Sequence, residues 1–80
     1  MILDMDKMMR MFTAVIEREG DGYVALCQEL DIASQGDSIE QARKNLTEAV
    51  TLFLETASPS EIQQRYHSEV YITPLEVAVG

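Results

Sequence analysis

Chemistry on a protein needs reactive side chains held at fixed spacing, and this 80-residue sequence offers few of them. Cys27 is the only cysteine and His67 the only histidine. A nucleophilic thiol needs a base or a positive charge beside it to become a thiolate. Cys27 instead follows the apolar run Val24-Ala25-Leu26, with no histidine near it in sequence. It is expected to be a buried, inert thiol, and His67 a surface or helix-end residue. One Cys and one His supply neither a disulfide within the chain nor a Cys/His zinc cluster. Gly20-Asp21-Gly22 lacks the lysine and the following helix of a phosphate loop, so it reads as turn chemistry. No cofactor and no metal are expected, and the chain is not expected to be an enzyme.

What the sequence does offer is carboxylates. Fourteen Asp and Glu face six Lys and Arg, for a net charge of −8. The excess is uneven: Glu17, Glu19, Asp21, Glu29, Asp31 and Asp37 fall in one stretch with a single base, Arg18. Phosphate backbones require Lys and Arg clusters, so direct nucleic-acid binding is not expected. An acidic surface suits a basic protein partner through complementary potential, and it also serves plain solubility.

The elements that must position these carboxylates can be read along the chain. Phe12, Ala14 and Ile16 alternate with Thr13, Val15 and Glu17, the period of two of a strand over about Arg10–Glu19. Gly20-Asp21-Gly22 then predicts a tight hairpin into a second strand, Tyr23–Gln28. That strand is apolar on both faces, as a central strand is. A turn at Glu29-Leu30-Asp31 leads to a third strand over Ile32–Gln35, and Gly36 is expected to take a positive φ before a helix. Ser38 and Gln41 form a capping box. Ile39, Ala42, Leu46, Ala49, Val50, Phe53, Leu54 and Ala57 continue as an apolar stripe to about Thr56. Asn45, inside the helix, is expected to hydrogen-bond a nearby loop backbone. Pro59 ends the helix, and Ser60 is expected to cap a short second one over Glu61–Tyr66. Ser68–Val79, with Val70, Ile72, Leu75, Val77 and Val79, predicts a last strand in which Pro74 marks an edge or a bulge. The fold class expected is α+β: a three-stranded antiparallel sheet plus a C-terminal strand, with one long helix on one face, in the order β-β-β-α-α-β.

Eighty residues make one domain, expected over residues 10–80, with the Met-rich residues 1–9 as a flexible lead. A domain this small buries only about 60% of the surface its unfolded chain exposes. With no disulfide or metal to reinforce it, a homo-oligomer is expected, and Val70, Ile72, Leu75 and Val77 in the last strand are the candidate oligomerisation residues. No apolar run reaches the ~18–20 residues of a membrane span, and no secretory signal is seen. With the lone thiol, this places the chain in the cytoplasm as an expectation, with no membrane partner.

The stretch Tyr23–Leu54, YVALCQELDIASQGDSIEQARKNLTEAVTLFL, resembles the HicB-like antitoxin family, also described as UPF0150. The resemblance is carried by Cys27, Glu29, Leu30, Asp31–Ser38, Glu40, Ala42, Asn45, Leu46, Glu48, Ala49 and Val50, at fixed spacings. Gln28 stands where the family commonly has proline, which implies a softer turn. Many members also carry a C-terminal DNA-binding domain, for which no segment is seen before Gly80. The resemblance implies a partial ribonuclease-H-like fold without nuclease activity. It also implies a partner: a small basic HicA-type toxin ribonuclease that cleaves mRNA and is masked by the antitoxin.

A ribonuclease-H-like fold raises the question of two-metal chemistry, which would need a carboxylate in the middle of the first strand. Ala14-Val15-Ile16 stand there. The expected function is therefore binding and neutralising the toxin, with Glu17, Glu19, Asp21, Glu29 and Asp31 as candidate toxin-binding residues. The alternative is an orphan oligomeric interaction protein of the same fold without a toxin.

Overall fold

Alternating small apolar and polar residues build three strands: β1 (Ala14–Glu19), β2 (Gly22–Cys27) and β3 (Ile32–Gly36). The computed structural model describes residues 10–80; the expected flexible lead, residues 1–9, lies outside them. The strands form one antiparallel sheet in the order β1-β2-β3, so the doubly apolar β2 is central. Gly20 and Asp21 make the two-residue connection between β1 and β2, and Glu19 pairs with Gly22. Gly20 has φ +58°, the left-handed geometry that a tight hairpin asks of its first central residue.

Ile16 pairs with Ala25, and Ala25 with Ser34; Ala14 pairs with Cys27, and Cys27 with Ile32. This register puts Ile16, Tyr23, Ala25, Cys27 and Ile32 on one face, where they meet helix α1 (Ile39–Thr56). Ala25, Cys27, Leu30, Ala42, Leu46 and Val50 are the buried core, with Phe12, Phe53 and Leu54 packed around it. The predicted stripe of α1 is therefore the buried one, except that Ile39 in the first turn is half exposed. Among the described residues no helix packs on the other face of the sheet. Val15, Val24 and Leu26 lie there half-buried, beside Glu17 and Glu19.

Local signals start and stop the helices. The Ser38 hydroxyl accepts from the Gln41 amide at 3.0 Å, a cap worth about 1 kcal/mol. The Gln41 side chain accepts from the Asp37 amide at 3.1 Å, one residue short of the reciprocal bond predicted to Ser38. Helix α2 runs Pro59–Arg65, and its cap is Ser58, not Ser60. Pro59 explains the difference. Its missing N–H costs nothing at the first helical position, so the helix begins on it. Ser58 and Glu61 then close the capping box, at 3.2 and 2.9 Å.

Two further expectations are corrected. Gly36 does not take a positive φ; among the described residues Gly20 and Asp31 do. Gly36 is needed for space, because a Cβ there would stand 2.5 Å from the Ala42 amide nitrogen. The predicted C-terminal strand is absent: residues 66–80 hold neither strand nor helix, and among the described residues the sheet has three strands. Pro74 lacks the ladder donor, and the apolar residues change parity across it, from 70 and 72 to 75, 77 and 79. A regular one-sided strand cannot run through such a point.

Candidate functional site

The hairpin register sorts the candidate carboxylates into two groups at opposite ends of the sheet. Glu17 and Glu19 share the helix-free face of β1, and Asp21 sits in the turn beyond them; all three are exposed. Arg18, between them, points to the other face, where its guanidinium lies 5.4 Å from the centre of the Tyr23 ring. Its charge is thus turned away from the two glutamates. Beside this end lies a polar hollow of about 440 Å³, whose lining includes Glu19, Tyr23, Gln35, Asp37, Gln41 and Asn45. The Asn45 amide donates to the Gln35 carbonyl at 2.7 Å, which ties α1 to β3. Asn45 therefore bonds backbone as expected, with a strand as its partner. Asp37 adds a carboxylate at this end that the candidate set did not include.

Glu29 and Asp31 lie in the turn after β2, the length of a six-residue strand away, about 17 Å. Glu29 is not a surface group. Its residue is 9% exposed, and its carboxylate accepts from the Thr13 amide at 2.8 Å and the Thr13 hydroxyl at 2.7 Å. The Cys27 thiol lies 3.8 Å from the same carboxylate. Burial pushes the Glu29 carboxyl up, but the Thr13 amide and hydroxyl, its own amide and the Cys27 thiol together hold it below its ordinary range. It clamps the residue before β1 to the β2–β3 turn, with both carboxylate oxygens bonded to Thr13. Asp31 takes φ +58°, a region in which Asp is among the tolerated residues. Its carbonyl accepts from Arg65 at 3.2 Å, and the Leu30 carbonyl does so at 3.4 Å. Arg65 also lies 5.5 Å from the Phe53 ring centre, so α2 is docked on this turn. The His67 amide completes the docking with a 2.7 Å bond to the Glu29 carbonyl, while its side chain is exposed.

This turn is where sequence reading missed most. Leu30, read as part of a turn, is fully buried, and Thr13 and Arg65 carry long-range bonds that no local pattern announces. Cys27 is 1% exposed, and burial first, then the neighbouring Glu29 charge, raise its thiol above the ordinary range. Among the described residues no three His, Cys, Asp or Glu side chains converge as metal ligands, and no helix is long and apolar enough to cross a membrane.

The Glu29 clamp has a measurable pH signature. Its folded pKa is depressed, so its contribution is full above the ordinary value of 4.5 and is lost as the pH falls through the lower folded value. Urea unfolding of Glu29→Gln should show a shallower loss of stability below about pH 4.5 than the parent chain. Glu29→Ala should cost about 1–3 kcal/mol at neutral pH, because the Thr13 donors lose their acceptor. Superimposable acid limbs for the parent and Glu29→Gln would remove Glu29 as the linked group.

Two relatives share most of this framework. A UPF0150 protein of Synechocystis sp. is 37% identical over 70 residues, which cover 85% of this chain and 87% of that protein. A UPF0150 protein of Helicobacter pylori is 35% identical over 69 residues, covering 85% of this chain and 96% of that protein. No protein-family model matches the chain, and no solved structure matches it significantly. With identity of this level over nearly the full length of both relatives, the chain belongs to the UPF0150 family.

Proposed function

We propose that this chain is a HicB-like antitoxin, a binding module without chemistry of its own that neutralises a small basic HicA-type toxin ribonuclease. The observation that carries the reading is the hairpin end of the sheet. Glu17, Glu19 and Asp21 stand exposed there, with Asp37 near them, while the neighbouring cation Arg18 is turned to the other face. The half-buried Val15, Val24 and Leu26 continue the same face as an apolar floor. Acid beside an apolar floor is the complement of a basic surface with a hydrophobic anchor. The resemblance across Tyr23–Leu54 supplies the kind of partner. Glu29 is withdrawn from the binding set because its carboxylate is committed to Thr13. Asp31 is withdrawn because it lies at the opposite end of the sheet.

The test is co-expression with the product of an adjacent small basic reading frame, followed by RNA cleavage with and without this chain. A stable complex in which cleavage is suppressed is the expected result. A basic neighbour that cleaves RNA equally well in the presence of excess chain would overturn the reading.

A further inference from the structure

Among the described residues the fold leaves apolar surface uncovered in two places. The first is the C-terminal arm, where Tyr71, Ile72, Leu75, Val77 and Val79 are between 63% and 93% exposed. Soluble single chains rarely keep so many large apolar groups together in water. The second is a groove of about 570 Å³ between the start of β1 and α1, walled by Phe12, Val50 and Leu54. It exists because α1 leans on β3 and β2 and barely meets β1. Among the described residues β1 is also an edge strand, and edge backbone recruits partners.

Periodicity and charge both match the arm to the groove. Val70 and Ile72 recur every second residue, and so do Leu75, Val77 and Val79, with the parity change at Pro74. A one-residue bulge at Pro74 turns all five to one face. The charged residues lining the groove are Arg10 and Arg43, with no carboxylate among them. The arm from Ser68 to Val79 carries Glu69 and Glu76 and no base. In a chain of net charge −8, an arginine-flanked apolar groove is a local inversion that an acidic apolar strand complements.

We propose that residues 69–79 of one copy lie in the Arg10- and Arg43-flanked groove of a second copy, reciprocally, to make a two-fold arm-exchanged dimer. The arm stands off its own body. Every residue from Tyr71 to Gly80 is exposed. The area is sufficient. The four exposed residues of that face, Ile72, Leu75, Val77 and Val79, present on the order of 600 Å² per arm, so a donated arm and a covered groove together pass the roughly 800 Å² per partner of a stable interface. One two-fold operation covers both uncovered surfaces on both copies. The proposal is independent of the antitoxin reading, since it uses the helix-side groove and leaves the hairpin acids free.

Sedimentation of the full chain at tens of micromolar should give the mass of two chains. Leu75→Asp with Val77→Asp should weaken the dimer at least 100-fold while the far-UV circular dichroism of the body is retained. A parent chain that sediments as a monomer overturns the proposal, as does a variant that stays dimeric. A second measurement separates exchange from closure on the same chain. Thr51→Cys and Val77→Cys are placed on separate chains, mixed and mildly oxidised; Cys27 is 1% exposed and shielded. A disulfide between the two different chains is expected. With both substitutions on one chain, a cross-link that forms only within that chain overturns the proposal. The absence of any cross-link, which leaves the groove to another occupant, overturns it as well.

Discussion

Gly36→Ala should destabilise the fold by about 3 kcal/mol or more, a large share of the roughly 4–12 kcal/mol that an 80-residue domain holds. The reason is contact. A Cβ at position 36 would lie 2.5 Å from the Ala42 nitrogen, 2.8 Å from the Gln41 carbonyl carbon and 3.0 Å from the Ala42 Cα. All three atoms are helix backbone, so no side-chain rotation relieves the overlap. The whole first turn of α1 would have to lift from β3. That lift would loosen Ala42 in the core and stretch the 2.7 Å bond from Asn45 to Gln35. Gly20→Ala is the internal comparison. Its Cβ would meet nothing within 4 Å, so its cost is the left-handed backbone alone, about 1 kcal/mol. Thermal unfolding should therefore show Gly36→Ala roughly 15 °C below the parent, and Gly20→Ala only a few degrees below. Equal shifts for the two variants would mean that α1 moves off the sheet at little cost, and would sink the close-approach argument.

Gly36 also shows where sequence reading stops. The residue stands one position before Asp37 and Ser38, so local grammar made it a turn glycine. Its requirement is tertiary and becomes visible only when Ala42 is laid against β3. The elements that were legible are those whose cause is local. Ser38 with Gln41 starts α1, Gly20-Asp21 closes the hairpin, and period-two residues place Ala25 and Cys27 on one face. Glu29 was misread for the same reason as Gly36. Its type says surface, but its partner Thr13 is sixteen residues away and pulls it inward. The Ser58 cap failed differently. Two serines flank Pro59, and the tolerance of a first helical turn for proline chooses between them. The expected C-terminal strand rested on apolar alternation alone, and alternation cannot name a strand to pair with it; residues 66–80 form none. The candidate site was legible as charge; its division between two ends of the sheet required the register.

That division gives the second large effect. Glu17→Lys, Glu19→Lys and Asp21→Lys together should weaken binding to a basic protein partner by about 100-fold, if each reversal costs roughly 1 kcal/mol at the interface. Most of the loss should appear as slower association and a flattened dependence on salt, because exposed charges act chiefly by steering. Folding should be nearly unaffected, since the three side chains are exposed and stand outside the buried core. Asp31→Lys changes the charge by the same step per residue at the far end of the sheet. It should alter affinity by less than about threefold, the residual effect of screened charge beyond a Debye length of ~8–10 Å. The contrast between the two ends is more informative than either variant alone. A partner that senses only net charge responds in proportion to the number of charges reversed, wherever they lie. A partner that docks on the hairpin end responds to the first set alone. If Asp31→Lys weakened binding per charge as much as the hairpin triple did, the acidity would be acting as a diffuse field and the docking surface assigned to Glu17, Glu19 and Asp21 would be wrong.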